Sequence, residues 1–142
     1  MNISVTSLIR NSLISLSILI SYSKAGLHPA TGGNGLFVCS GDLLLEALVA
    51  CAGVTLKAVA TAIGIDLQNG TITAEGDLDF RGTLGVSKDV PVGFKEIRLK
   101  FNLEGNILSE QLDSLSKLTE RYCVVYQTLV KGITIETNFQ LI

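Results

Sequence analysis

Between Ser40 and Ile63 the chain carries leucine, alanine and valine on nearly every side of a helical projection, interrupted by Glu46, Thr55, Lys57 and Thr61. A helix apolar almost all round is a buried one, so the remaining residues have to be built around it. Ser40 suits the N-cap, Asp42 places a negative charge in the first turn, and Gly64 suits the C-terminal stop. Cys51 falls near the middle of this helix. A chain of 142 residues fits one domain with a real core. Its hydrophobic content of 47% exceeds what one small monomer hides, which points to an apolar interface between copies.

Strict alternation predicts strands. Ile72, Ala74, Leu78 and Phe80 share one face, with Thr73, Glu75, Asp77 and Asp79 on the other. Ile97, Leu99, Phe101 and Leu103 alternate with Arg98, Lys100, Asn102 and Glu104, and Ile133, Ile135, Phe139 and Leu141 with Thr134, Glu136, Asn138 and Gln140. One apolar and one wet face each is the pattern of an antiparallel sheet covered by helices on one side. A second helix is expected from Ser109, with Leu112, Leu115 and Leu118 on one side. It runs towards Tyr122, and Cys123 either continues it or opens a short further helix that Gly132 stops. The fold class is therefore α+β, a curved antiparallel sheet packed by a long buried central helix and a companion. Lys24 to Asn34 and Gly82 to Gly93 read as loops. Leu13 to Ile20 is too short and serine-rich to span a bilayer. It suits a buried strand, its place after Arg10 also fits a signal-peptide core, and a poorly ordered leader is the third alternative.

Several functions are disfavoured. A net charge of -2 with scattered basic residues gives no footprint for nucleic acid, and aromatics at 6% without tryptophan offer no stacking platform. No GxGxxG or Walker pattern marks a phosphate site. With His28 as the single histidine and no CxxC spacing, neither a metal site nor a cofactor is indicated, and no membrane partner is expected. Three cysteines are too few for a disulfide framework, which favours thiol chemistry in a reducing cytoplasm.

The cysteines differ in setting. Cys39 precedes the helix and reads as structural. Cys51 lies in Asp42-Leu43-Leu44-Leu45-Glu46-Ala47-Leu48-Val49-Ala50-Cys51, where a thiol is commonly an inert small hydrophobe. Cys123 lies in Glu120-Arg121-Tyr122-Cys123-Val124-Val125-Tyr126-Gln127-Thr128-Leu129, a half-polar setting in which Arg121 could stabilise a thiolate.

Taken together and in this order, with Gly32-Gly33 ahead and alternating strands between, the two cysteine segments resemble the OsmC/Ohr family, osmotically inducible and organic-hydroperoxide-resistance thiol peroxidases. The resemblance runs from Gly32 to the C-terminus. It divides the chain into a divergent N-terminal segment, 1–31, and an OsmC-like domain, 32–142.

The resemblance implies an intertwined homodimer with two active sites at its interface. It makes Cys51 the peroxidatic residue, oxidised to a sulfenic acid by an organic hydroperoxide, and Cys123 the resolving residue that closes a disulfide. A dithiol reductant of lipoyl type restores both in a peroxiredoxin-like cycle of oxidative-stress defence. The family pattern also includes an N-terminal arginine and a glutamate at the start of the central helix. Here Arg10 is the sole N-terminal arginine and Gly41 stands where the glutamate aligns, leaving Asp42, Glu120 and Arg121 as candidates to tune the thiolate. Many relatives read Cys-Pro where this chain has Cys123-Val124. The alternative reading is a non-catalytic OsmC-like dimer, a binding or redox-responsive module.

Overall fold

A computed structural model describes residues 24–142 and, as backbone, residues 2–9. The expectation for Leu13 to Ile20 lies outside the described residues. The elements are β1 (Asn2–Ile9), a 3₁₀ turn at Pro29–Thr31, α1 (Ser40–Ala62), β2 (Leu67–Leu78), α2 (Phe80–Thr83), β3 (Phe94–Gly105), α3 (Ser109–Tyr122) and α4 (Val124–Lys131). The strands form an antiparallel sheet in the order β1-β2-β3. Ile72 stands opposite Phe101, and Ala74 opposite Leu99, so the apolar positions of β2 and β3 meet on one face.

The long helix forms where its pattern predicts, with one correction at its start. Cys39, rather than Ser40, is the N-cap: its backbone is extended and its Sγ accepts the Asp42 N–H at 3.5 Å. At the other end the chain leaves the helix through Gly64 at φ +72°, a left-handed conformation that favours glycine. Leu45, Leu48, Val49, Ala52, Leu56, Val59 and Ala60 form the buried stripe and share the core with Ile72 and Ala74 of β2 and Leu115 of α3. The helix is long and apolar enough to cross a membrane by length and composition, yet this stripe is the core of the fold.

Burial all round is not what a single copy achieves. α1 packs on β1, β2, α3 and α4, and these cover one side of it. Leu44 and Val54 on its remaining surface are exposed, Val54 by 46%. The apolar face of β3 is also only half covered, since Ile97, Leu99, Phe101 and Leu103 all stay partly accessible.

Two strand expectations need correction. Phe80 does not continue β2 but opens α2, because the Asp79 side chain caps that turn through the Arg81 N–H at 3.2 Å. The Phe80 ring stacks on His28, centroids 5.3 Å apart. Residues 132–142 are not a strand, and they pair with none among the described residues. Their apolar positions lie in solvent, with Phe139 at 94% and Leu141 at 103% exposure. Alternation records what a segment would bury, and a strand also needs an edge to join.

The wet face of the sheet is laced by ion pairs between β2 and β3 and at the turn that follows β2. Lys100 reaches Glu75 at 2.9 Å, Arg98 bonds Asp77, and Lys95 and Arg81 both hold Asp79, at 3.0 and 2.7 Å. Arg81 and Lys95 together keep the Asp79 carboxyl well below the usual carboxylate range. Such exposed pairs fix register more than they stabilise.

Candidate active site

Cys123 is both the last cap of α3 and the N-cap of α4. Its φ of -72° and ψ of 108° break the helix, so of the two sequence alternatives the short further helix forms, stopped at Gly132. The corner is held by the Cys123 N–H on the Thr119 carbonyl at 3.0 Å and by Gln127 Nε2 on the Glu120 carbonyl at 2.8 Å. Because α3 and α4 both pack on α1, this corner comes down on the middle of the central helix, at Cys51. The two cysteines, far apart along the chain, meet there.

The donors that face Cys51 are the Val125 N–H, the Cys123 thiol, the Val124 N–H and the Thr55 hydroxyl. Burial pushes the Cys51 thiol up, but these four donors outweigh it and hold the thiol below its ordinary value. Val124 and Val125 are the first residues of α4, whose N–H groups have no partner inside the helix and carry its positive pole. Cys123 is pushed the other way, by burial and by the charge it faces on Cys51. The two thiols are thus shifted in opposite directions, and Cys51 is the more readily ionised of the pair. Cys51 is half-buried, whereas Cys123 is 1% exposed.

The tuning candidates fall elsewhere. Asp42 lies nine positions before Cys51, about 13 Å along the helix axis. It sits beside Cys39, whose thiol burial pushes up with added help from the Asp42 carboxylate. The Arg121 guanidinium lies over the Tyr122 ring at 5.6 Å and is not among the groups that set either thiol. Glu120 lines the cleft beside Cys123 without facing Cys51 among those donors. The groups that do face Cys51 include one that helical spacing points to: Thr55, one turn after Cys51.

Exchanging Thr55 for valine removes one donor and keeps the shape. The alkylation rate of Cys51 by iodoacetamide, followed against pH, is expected to move to higher pH in Thr55→Val, because less thiolate is present at any given pH. An unmoved profile would show that the hydroxyl does not support the thiolate.

A furrow with one apolar wall adjoins Cys123. Beside Cys123 a cleft of about 200 Å³ is lined by Ala52, Ile97, Leu99, Phe101, Thr119 and Tyr126. It continues past Phe101 and Thr119 into one of about 340 Å³ over Leu56 and Leu103, and past Tyr126 into one of about 280 Å³ over Leu48 and Phe94. The half-covered face of β3 is the common wall. A larger cleft of about 680 Å³ lies at the Asn69–Gly105 end of the sheet, but it holds no thiol.

The family model for OsmC-like protein matches residues 33–138. An OsmC-like hydroperoxide resistance protein from Jannaschia sp. CCS1 is similar in fold, with a TM-score of 0.56 and 17% identity over 70% of this chain and 65% of that one. The organic hydroperoxide resistance protein OsmC from Legionella pneumophila has a TM-score of 0.59 and 19% identity over 75% of this chain and 72% of that one. The chain spans just under two thirds of the length of the Jannaschia protein. No curated protein matches the sequence.

Proposed function

The chain belongs to the OsmC-like protein family, and from that premise we propose that it is a thiol-dependent peroxidase that reduces organic hydroperoxides. The observation that carries this reading is the meeting of Cys51, which the α4 N–H groups and the Cys123 thiol face, with Cys123 beside a cleft partly walled by Ile97, Leu99 and Phe101. The Cys51 thiolate attacks the terminal oxygen of the hydroperoxide. An S–O bond forms, the O–O bond breaks, and the electron pair leaves on the carbon-bound oxygen. Cys123 gives that oxygen its proton, completing the alcohol. Its own thiolate then attacks the Cys51 sulfur, forming the disulfide and expelling hydroxide. An external dithiol, lipoyl-type or similar, returns the pair to two thiols and leaves as a disulfide.

This scheme assigns the work of a thiolate-pairing cation to the first turn of α4. The apolar side of these clefts, Leu56, Leu99, Phe101 and Leu103, favours alkyl over hydrogen peroxide, because burying a chain against it removes apolar surface from water. The close approach of the two thiols supports catalysis over a purely binding or redox-responsive module. A reducing compartment, the cytoplasm, suits the cycle.

The homodimer is part of the same reading. It is supported by Leu44 and Val54 on the uncovered side of α1, and by Ile133, Ile135, Phe139 and Leu141 beyond α4, all exposed in a single copy. Light scattering is expected to give twice the 15.1 kDa chain mass. Ile135→Asp with Phe139→Asp is expected to shift it towards one copy, and a monomeric wild-type protein would refute the dimer. For the activity, stopped-flow consumption of cumene hydroperoxide in the presence of dihydrolipoamide is the test. Turnover supports the reading, and consumption no faster than by dihydrolipoamide alone refutes it.

A further inference from the structure

Thr119 stands one helical turn before Cys123, on the same side of α3 as Leu115 and Cys123. It is 3% exposed, and its hydroxyl is the one buried side-chain polar atom among the described residues that has no hydrogen-bond partner. A threonine inside a helix ordinarily satisfies its hydroxyl on the carbonyl one turn back, and this one does not. Buried polar groups left unpaired in folded proteins are exceptional and call for a reason.

The position of the residue supplies one. Thr119 lines both the cleft beside Cys123 and the larger one beyond it, next to Phe101, so it sits at their junction. Leu56, Ala52, Leu99 and Phe101 supply apolar wall there, and Glu120, a carboxylate that accepts rather than donates, also lines both clefts. A rotation about its Cα–Cβ bond exchanges methyl for hydroxyl, and no hydrogen bond has to break to allow it. A small uncharged donor at this place fits a ligand that is apolar along its length and carries oxygen at the thiol end.

We propose that the Thr119 hydroxyl donates a hydrogen bond to the carbon-bound oxygen of an apolar hydroperoxide, the oxygen that becomes the product alcohol. The inference rests on the peroxidase reading of the Cys51–Cys123 pair. Negative charge develops on that oxygen as the O–O bond breaks, and a hydrogen bond to a charged acceptor is stronger than one to a neutral oxygen. Thr119 therefore favours the transition state over the bound substrate, and it keeps its own proton throughout.

Thr119→Val keeps the shape and removes the donor, and Thr119→Ser keeps the donor. With cumene hydroperoxide, kcat/KM is expected to fall about 10-fold or more in Thr119→Val and to stay within about 3-fold in Thr119→Ser. The thermal midpoint of Thr119→Val is expected to hold or rise, since an unpaired buried hydroxyl has gone, and the pH profile of Cys51 alkylation is expected not to move. Undiminished kcat/KM in Thr119→Val would overturn the proposal while leaving the peroxidase intact. So would equal losses in both variants with a lowered midpoint. A wild-type protein that consumes no hydroperoxide would instead sink the peroxidase reading, and this one with it. Should the valine variant not fold, cumyl alcohol titrated into Cys51→Ser is expected to shift the Thr119 methyl resonance, and an unmoved resonance overturns the proposal.

Discussion

Cys51→Ser is expected to abolish hydroperoxide consumption, lowering the rate by roughly 10³-fold or more, as removal of an enzyme nucleophile does. Serine is nearly the same size and occupies the same half-buried place on α1, so the fold is kept. The hydroxyl does not ionise in the range where the four donors around Cys51 favour a thiolate. Stopped-flow decay of cumene hydroperoxide on the variant and the wild-type protein checks this. Undiminished turnover in the variant would exclude Cys51 as the attacking group.

Cys123→Ser separates attack from resolution. Its hydroxyl can still donate to Cys51 but is a weaker acid than the thiol, so the first step is expected to slow and still proceed, with solvent protonating the leaving oxygen. Without a second thiol the sulfenic acid persists. Fast consumption is expected to end after about one equivalent of peroxide per subunit, and excess peroxide then slowly drives Cys51 to the sulfinic acid, using a second equivalent and leaving the chain about 32 Da heavier than the thiol. Intact-protein mass spectrometry reads this directly. Continued turnover with no added oxygen would mean that Cys123 is not the resolving thiol.

The two cysteine segments were legible as residues, but their meeting was not. Cys51 owes its position to the leucine and alanine stripe of α1, and that stripe is plain in the sequence. Cys123 owes its position to a break between helices, and Gly132 marks only the far end of the second. That α4 would present Val124 and Val125 to Cys51 depends on how α3 and α4 dock on α1, a long-range packing choice no local pattern encodes. Charge-based reasoning picked Arg121 and Asp42, whereas the groups that face Cys51 are backbone N–H groups, a thiol and a hydroxyl, which carry no sequence signature of charge.

The strands show the same division. Ile97 to Leu103 alternate and form β3, but β2 begins at Leu67, ahead of the alternating stretch, because pairing with Gly105 and Glu104 across an irregular register extends it. The Ile133 to Leu141 alternation, interrupted at Thr137, forms no strand, since it pairs with none of the described residues. The cap on Cys39 is a subtler case. Serine is the better capping residue by type, but backbone geometry makes the extended residue the cap, and that residue is the cysteine.

Peptide mapping by mass spectrometry after one equivalent of cumene hydroperoxide bears most directly on the site. The thiol pair at the α3–α4 corner predicts a single intrachain crosslink between Cys51 and Cys123, with Cys39 recovered as a free thiol. Oxidation that leaves Cys51 and Cys123 unlinked, or that joins either of them to Cys39 instead, would contradict it.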